Sequence, residues 1–134
     1  MDSKKVVVVG CGRLGSTVAS DLSANGHRVI VIDTRESSFD KLAQSYSGYK
    51  IVGDAVEYQT LAEADIDDAD FLFAATTEDN TNLMVAQVAK KFFNIGTVVA
   101  RVYDPHREVI YKDFGIKTIS PTRLSSDVFQ NIVS

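Results

Sequence analysis

Three glycines near the start of the chain have a spacing that suits phosphate binding. They form the pattern Gly10-x-Gly12-x-x-Gly15, which directly follows the four valines of residues 6–9. A continuous β-branched run indicates a strand buried on both faces, as in a parallel sheet. Glycine permits the tight turn at position 10, leaves space for a phosphate at position 12, and allows close helix packing at position 15. We therefore predict that a helix begins here, near Leu14, and binds a phosphate through its unpaired amide groups.

An acidic residue follows the second apolar strand at the distance expected for a nucleotide sugar. Residues 29–32 form another continuous apolar run, and Asp33 lies at its carboxyl end, within the roughly 20-residue reach of the pattern. A carboxylate here accepts hydrogen bonds from ribose hydroxyls and favours a sugar without a 2′-phosphate, although the nearby Arg35 leaves that preference open. Thr34 belongs to the same predicted segment. The competing interpretation is that Asp33 caps a helix beginning near Ser37.

A third strand, predicted at residues 49–52, also ends in small and acidic residues. Gly53, Asp54 and Ala55 follow it directly. Open α/β sheets bind ligands at the carboxyl ends of their strands, so we assign Asp54 and Ala55 to the adenine or ribose edge of the site. Asp54 is equally suited to cap the next helix, predicted to contain residues 58–63.

Two further strands end in residues that can contact a nucleotide. The fourth, residues 71–74, is followed by Thr76 and Thr77, which we predict to be hydrogen-bond donors, or alternatively part of the cap of a helix over residues 81–93. The fifth, residues 97–102, contains Arg101. A cation at this edge can bind phosphate, and a surface salt bridge is the other interpretation.

The order of the elements predicts a single α/β domain over residues 1–134. A helix follows nearly every strand, and a short sixth strand at 117–119 precedes a last helix at 125–133. Right-handed crossovers then predict a Rossmann-like, doubly wound parallel sheet of six strands in the order 3-2-1-4-5-6. The remaining helices are predicted at residues 14–25, 38–46 and 105–114, and residues 120–122 are predicted to turn the chain.

One predicted helix has more apolar surface than a sheet can cover. Between residues 81 and 93 the apolar side chains occupy more than one side of the helix, whereas a helix on a sheet needs one stripe. This surplus predicts a second packing partner, and self-association is the simplest one.

Composition excludes several classes of function. The chain has 134 residues, a net charge of −4 and no basic stripe, so we expect no nucleic-acid partner. It has one cysteine, Cys11, which excludes an internal disulfide and a multi-cysteine metal site, and we expect no metal. The amino terminus enters the first strand without a signal peptide and no apolar run spans a bilayer, so we expect a cytoplasmic protein without membrane insertion.

Taken together, these motifs resemble the amino-terminal nucleotide-binding module of the RCK family, also called KTN or TrkA-N. The resemblance covers nearly the whole chain and rests on five blocks of sequence, which are residues 8–15, 31–33, 53–55, 74–83 and 100–102. Each block is common among dinucleotide folds. The series at these spacings is much more specific.

The resemblance implies a regulatory subunit or domain that controls a potassium channel or transporter and has no catalytic activity. It implies binding of NAD(H) or of ATP, ADP or AMP, with Arg13 and Arg101 contacting phosphate. It also implies a homodimer or higher homo-oligomer, including an octameric ring, located at the inner face of the membrane through an integral membrane potassium transporter. Many relatives carry a further carboxy-terminal sensing domain, which these 134 residues do not include, and Pro121-Thr122 stands where some relatives have an acidic metal-binding residue.

Two other functions are compatible with the same motifs. One is an NAD-dependent oxidoreductase domain, although no His, Lys or Tyr is evidently placed for hydride transfer. The other is a nucleotide sensor unrelated to ion transport, because a fold does not fix a function.

Overall fold

A single parallel sheet of six strands forms the centre of the molecule. The computed structural model describes residues 2–134, and Met1, the first residue of the predicted domain, lies outside them. The strands are β1 (Lys5–Val9), β2 (Arg28–Asp33), β3 (Tyr49–Val52), β4 (Phe71–Ala74), β5 (Thr97–Arg101) and β6 (Lys117–Ile119). They lie in the order β3-β2-β1-β4-β5-β6, and each neighbouring pair is parallel. This order confirms the predicted doubly wound sheet.

Five α-helices connect or follow the strands. They are α1 (Arg13–Ala24), α2 (Tyr58–Glu63), α3 (Asp79–Phe92), α4 (Glu108–Asp113) and α5 (Pro121–Val133). Two short 3-10 segments, Glu36–Lys41 and Pro105–Arg107, complete the connections. Between residues 2 and 134 no helix combines the length and the hydropathy needed to cross a bilayer.

The predicted helix at residues 38–46 is wrong. The chain forms only the 3-10 segment there, and Leu42 already has an extended backbone. The reason is that two amide groups beyond the 3-10 segment donate hydrogen bonds to serine side chains of α1 and not to the carbonyl oxygens of a helical turn. The N–H of Ala43 donates to Ser20 Oγ at 3.0 Å, and the N–H of Ser47 donates to Ser23 Oγ at 3.0 Å.

The continuous valines of β1 are explained by two separate cores, one on each face of the sheet. Val7 and Val9 belong to the larger core, which α2, α3 and α4 cover. Val6 and Val8 belong to the smaller core, which α1 and the first 3-10 segment cover. Because both faces are covered at β1, every position from Val6 to Val9 is apolar and buried.

The apolar surplus predicted for α3 is mostly taken up within the domain. Leu83, Val88 and Phe93 are partly buried and pack against the larger core. Among the large apolar residues of this helix, only Met84 and Phe92 are half exposed or more. The helix therefore leaves a much smaller apolar surface than its sequence suggests.

The last helix is longer than predicted and has almost no contact with the rest of the domain. It begins at Pro121, because Ser120 caps it by accepting a hydrogen bond from the N–H of Arg123 at 3.1 Å. The predicted turn at residues 120–122 is therefore the cap and first turn of α5. No residue of α5 is buried, and its exposed large apolar residues, which we call the apolar face of α5, are Leu124, Val128, Phe129, Ile132 and Val133.

Candidate functional site

A cleft of about 1030 Å³ opens at the carboxyl ends of the strands. This volume is at the upper end of the range for small-molecule sites and is large enough for a dinucleotide. Eleven of the twelve residues predicted for the site line the cleft, namely Gly10, Gly12, Arg13, Leu14, Asp33, Thr34, Asp54, Ala55, Thr76, Thr77 and Arg101. The twelfth, Gly15, lies behind the glycine turn, so the structure brings the predicted residues together.

The glycine turn is built by close contacts that side chains would prevent. Gly10 has a φ of +98°, and a Cβ atom there would lie 2.9 Å from the amide nitrogen of Thr76. A Cβ atom on Gly15 would clash with the carbonyl oxygen of Gly10. In contrast, a Cβ atom on Gly12 would meet no atom within 4 Å, because this residue faces the open cleft. Two glycines therefore make the turn compact, and the third leaves room for a ligand.

The amino terminus of α1 points unpaired amide groups at the cleft. Its N-cap is Gly12, which has no side chain to bond them, and its first turn contains no acidic residue. Within residues 2–134 the N–H groups of Arg13 and Leu14 have no hydrogen-bond acceptor. These amides and the positive end of the helix dipole form an anion-binding site. The arrangement suits a phosphate group.

Asp33 has a structural role in the cleft that neither sequence interpretation contained. One carboxylate oxygen accepts a hydrogen bond from the N–H of Cys11 at 2.8 Å, and the other accepts one from the N–H of Arg35 at 2.9 Å. It does not cap the following 3-10 segment, whose N-cap is Arg35. Each oxygen keeps further acceptor capacity for a sugar hydroxyl. Asp33 thus joins the end of β2 to the glycine turn and still faces the cleft.

Cys11 is a buried, neutral part of the turn. Burial raises the pKa of its thiol above the ordinary value of 9.0, and the nearby charge of Asp33 raises the pKa further. A thiolate is the reactive form of cysteine, so this thiol is a poor nucleophile at neutral pH. The side chain fills space within the smaller core.

Asp54 belongs to the cleft and is not the N-cap of α2. The N-cap of that helix is Glu57, three residues further on. Asp54 Oδ1 instead accepts a hydrogen bond from the N–H of Val56 at 3.1 Å, which closes a local turn. The carboxylate is exposed at the edge of the cleft, and the neighbouring Ala55 is buried at its base.

Thr76 lines the cleft, and both of its hydrogen-bond donors lie near acceptors of the protein itself. Its N–H donates to Asn82 Oδ1 at 2.9 Å, and its hydroxyl lies 2.6 Å from Asn82 Oδ1 and 3.3 Å from the carbonyl oxygen of Glu78. Donation from Thr76 to a ligand therefore stays a prediction. In the part of the chain that the structure describes, neither the N–H nor the hydroxyl of Thr77 has a partner. Thr77 is exposed, and it remains the available donor at the end of β4.

Arg101 enters the cleft with its charge uncompensated by the protein. Its Nε atom is buried and has no hydrogen-bond partner in residues 2–134, and the guanidinium lies over the ring of Tyr103, 4.2 Å from the centroid. The surface salt bridge proposed as an alternative is absent from these residues. The loop that carries Tyr103 is held by Asp79, which accepts bonds from the N–H groups of Tyr103 and Asp104 at 2.6 and 3.1 Å. The structure thus holds a cation ready for an anionic ligand.

Sequence reasoning missed several residues in the cleft or directly behind it. Asn82, which is fully buried behind the lining residues, had a usable signal, because it shares the buried face of α3 with Val85, Ala86 and Ala89, and a buried amide needs specific partners. Tyr103 had none, since its position over Arg101 depends on the path of the loop after β5. The cleft also includes residues that were not predicted, among them Thr17, Ser38, Glu78, Thr81 and Pro121.

Comparison with known proteins identifies the family whose sequence pattern this chain carries. The model of the TrkA-N domain matches residues 6–121. The Trk system potassium uptake protein TrkA of Streptomyces coelicolor is 39% identical over 122 residues, which are 91% of this chain and 55% of that protein. The TrkA homolog of Methanothermobacter thermautotrophicus is 33% identical over 130 residues, which are 96% of this chain and 60% of that protein. The chain therefore spans little more than half the length of these relatives.

Solved structures of the same fold include nucleotide-bound proteins. The TrkA-N domain of the inner membrane protein ybaL from Escherichia coli superposes with a TM-score of 0.87 at 17% identity, over 99% of this chain and 98% of that one. The Kef carboxy-terminal domain of Shewanella denitrificans, in an AMP-bound form, has a TM-score of 0.77 at 26% identity, over 91% and 74% of the two chains. The GsuK channel bound to NAD has a TM-score of 0.72 at 17% identity, over 88% of this chain and 21% of that one.

Proposed function

The chain belongs to the TrkA-N domain family, and we propose that it is a nucleotide-binding regulatory domain of a potassium uptake system. The observation that carries this proposal is the cleft itself. It combines the unpaired amides of α1, the carboxylate of Asp33 and the uncompensated guanidinium of Arg101 in one cavity. These three groups match the anionic phosphate and the sugar hydroxyls of a nucleotide.

The proposed ligand is NAD(H) or an adenine nucleotide. The turn at Gly12 and the side chains of Arg13 and Arg101 would bind the phosphates, while Asp33, Thr34, Asp54 and Ala55 would lie along the adenosine half. A related domain that is 26% identical binds AMP, which supports a nucleotide in this cleft. The cleft holds no constellation evidently placed for hydride transfer, so we infer binding without catalysis.

Direct binding measurements test the proposal. Isothermal titration with NAD, NADH, AMP, ADP and ATP should give saturable one-site binding for at least one of them, and mass spectrometry should find a nucleotide retained after mild purification. Gly12→Val places a branched side chain in the phosphate space and should abolish binding, while its thermal unfolding stays close to wild type because no protein atom is near. Binding that survives Gly12→Val would contradict the proposed site.

The potassium role is proposed from the relatives. Both curated relatives described above are potassium uptake proteins, and this chain aligns with little more than half of each. The expected partner is an integral membrane potassium transporter or channel subunit, which would place the chain at the inner face of the membrane. Crosslinking in native cells followed by mass spectrometry should recover such a partner, and repeated recovery of only unrelated proteins would contradict this role.

The proposed assembly is a homodimer or a larger ring of copies. The apolar face of α5 has no partner in the described chain. On the sheet, Phe71 of β4 and Ile119 of β6 are also more than a third exposed. Burying such surfaces between copies is favourable. We expect the chain to sediment as a dimer or larger species.

The proposed switch follows from the different contacts of different nucleotides. Ligands with different numbers of phosphates engage Gly12, Arg13 and Arg101 differently, and a ligand shifts an equilibrium only by its difference in affinity for two arrangements. Small-angle scattering of the assembly should therefore change between NAD(H), ADP and ATP. Equal affinities together with identical scattering profiles would contradict the switch and leave nucleotide binding intact.

A further inference from the structure

A second cavity, of about 650 Å³, lies at the opposite edge of the sheet from the cleft. Its lining comes from the amino ends of β1, β2 and β3 and from the carboxyl end of α2, and it includes Lys5, Arg28, Tyr49, Glu63 and Asp65. We call it the amino-edge cavity. It shares no lining residue with the cleft, and its volume is within the range of small-molecule sites. A ligand bound here would therefore leave the cleft free.

The strand register places three of these side chains side by side on one face of the sheet. Lys5 is paired with Arg28, and Ile30 is paired with Tyr49, so each pair points to the same face. Side chains alternate along a strand, so Arg28 and Ile30 also share a face. Ile30 belongs to the larger core, together with Ala64 at the end of α2. Lys5, Arg28 and Tyr49 therefore form a floor beneath the carboxyl end of this helix.

Two groups of opposite charge in the amino-edge cavity are not used by the protein. Both ion pairs found within residues 2–134 lie outside the cavity. Lys5 Nζ donates to the carbonyl oxygen of Asp65 at 2.6 Å, and Glu63 Oε1 accepts from Gln59 Nε2 at 3.2 Å. In contrast, the guanidinium of Arg28 and the carboxylate of Asp65 form no hydrogen bond with the described residues. The floor thus offers a cation, and the end of α2 offers an anion.

The amino-edge cavity also has apolar surface. Ile30 and Ala64, which are both buried, contribute to its lining, and the ring of Tyr49 is 74% exposed. An exposed ring beside aliphatic side chains is a favourable contact for an apolar or aromatic group. A ligand that fits this cavity therefore has an anionic group, a cationic group and an apolar part.

We propose that the amino-edge cavity binds a small zwitterion, namely a free amino acid with a large apolar side chain. Its carboxylate would pair with Arg28, whose planar guanidinium suits a carboxylate, and its ammonium would pair with Asp65. Its side chain would lie against Tyr49 and Ile30. Arg28 and Asp65 are exposed, so each ion pair contributes little, and the expected dissociation constant is about 1 mM.

L-Phenylalanine and two analogues test the inference. Hydrocinnamate has the same ring without the ammonium, and phenethylamine has it without the carboxylate. Titration of the isotope-labelled protein, followed by NMR, should give saturable shifts in the amide signals of Arg28, Tyr49 and Asp65 with phenylalanine, while the signal of Gly12 in the cleft stays in place. Each analogue should bind about fivefold more weakly, an effect of about 1 kcal/mol.

Two substitutions each remove one charge from the cavity. Asp65→Asn should weaken phenylalanine binding about fivefold and leave hydrocinnamate binding unchanged, because hydrocinnamate has no ammonium. Arg28→Gln should weaken phenylalanine binding about fivefold and leave phenethylamine binding unchanged, because phenethylamine has no carboxylate. Asparagine tolerates the left-handed backbone of Asp65, whose φ is +53°, so we expect Asp65→Asn to fold normally.

Asp68→Asn is the matched control. Asp68 is the same residue type, has a similar left-handed backbone with a φ of +73°, and lies outside the amino-edge cavity. We expect wild-type binding of phenylalanine for this variant. Equal losses in Asp65→Asn and Asp68→Asn would overturn the inference, because the net charge of the protein would then explain both.

The remaining outcomes are also decisive, and they are independent of the nucleotide site. If phenylalanine gives no saturable shift at the cavity, or if hydrocinnamate or phenethylamine binds as tightly as phenylalanine, a zwitterion site is excluded. Neither result affects the proposed nucleotide binding, because the two cavities have no residue in common. Conversely, a protein that binds phenylalanine as described and no nucleotide would retain this site and lose the proposed function.

Discussion

Helices α1 and α5 have nearly the same length, 12 and 13 residues, and both have an apolar side, yet only α1 packs within its own domain. Ala19 of α1 is fully buried, and Val18 and Leu22 pack against the smaller core. On α5, Phe129 is 65% exposed and Ile132 is 73% exposed. The comparison shows that an amphipathic pattern predicts that one face of a helix is covered, and leaves open which molecule covers it.

The two helices also differ in the way their first turns are made. α1 begins at a bare glycine turn that leaves its amides for a ligand, whereas α5 begins at Ser120, whose hydroxyl accepts the N–H of Arg123. A side-chain cap satisfies one of the amide groups in the first turn of a helix, and that amide is then not free to bind an anion. Of these two helices, α1 is therefore the one that presents free amide groups to the cleft.

The largest effect is expected where α1 meets the glycine turn. Gly15→Val would force side-chain atoms into the carbonyl oxygen of Gly10, so α1 would have to leave its place on the sheet. We expect a loss of about 3 kcal/mol or more in the free energy of unfolding, measured by urea denaturation, or failure to fold. Gly12→Ala, where the added Cβ meets no atom, is the control and should stay within about 0.5 kcal/mol of wild type. Near-normal stability of Gly15→Val would show that α1 is not held as tightly as described.

The second largest effect is expected on the self-association constant after substitutions in α5. Phe129→Glu combined with Ile132→Glu places two charges on its apolar face, which should weaken self-association about 100-fold, or about 2.7 kcal/mol. Analytical ultracentrifugation over a concentration series measures this change. The unfolding of the separated subunit should be nearly unaffected, because both side chains are already exposed. An unchanged association constant would mean that α5 is not a contact between copies.

A matched pair of serines sharpens the comparison. Ser23 of α1 is buried and bonds to the N–H of Ser47 at 3.0 Å, whereas Ser126 of α5 bonds only to the exposed Gln130. Ser23→Ala should therefore lower the free energy of unfolding by about 1 kcal/mol, because it removes the part-buried hydrogen bond that joins α1 to the N–H of Ser47. Ser126→Ala should change it little. Equal effects of the two substitutions in thermal denaturation would contradict the difference between the helices.

The smallest effect is a loss in the free energy of unfolding at alkaline pH. It comes from groups on the side of the sheet that α1 covers. Burial raises the pKa of Cys11 above 9.0 in the folded state, so the unfolded chain loses this proton at lower pH than the folded one. Stability from this group is complete below pH 9 and falls as the pH rises further. Cys11→Ala should reduce the fall between pH 8 and 9.5 by less than about 1 kcal/mol. Tyr46, whose pKa burial also raises, contributes in the same direction, so Tyr46→Phe is a useful second variant.

Most of the sheet was predictable because its central strands are continuous apolar runs, and those of β1 and β2 are entirely β-branched from Val6 to Val9 and from Val29 to Ile32, which is typical of strands buried on both faces. The strand order followed from the right-handed crossover rule. The site was predictable to the same degree, since open α/β sheets place ligands at the carboxyl ends of the strands, and Gly12, Asp33 and Arg101 all lie there.

The wrong helix has a physical cause that a local pattern does not reveal, which is bonding between parts of the chain far apart in sequence. Residues 38–46 were predicted to be helical, but the N–H groups of Ala43 and Ser47 donate to serines of α1. The surplus of α3 and the exposure of α5 both depend on how much of each helix the domain itself covers, which local periodicity does not reveal.

Pro121 lies at the rim of the cleft and is also the first residue of α5. A helix of 13 residues is about 20 Å long. A rotation of about 10° around the Ser120–Pro121 junction would carry the far end of α5 about 3.5 Å sideways, a displacement as large as a typical gap between packed side chains. A small change of backbone angle at the rim of the cleft would thus become a displacement of several ångströms at the tip of this helix.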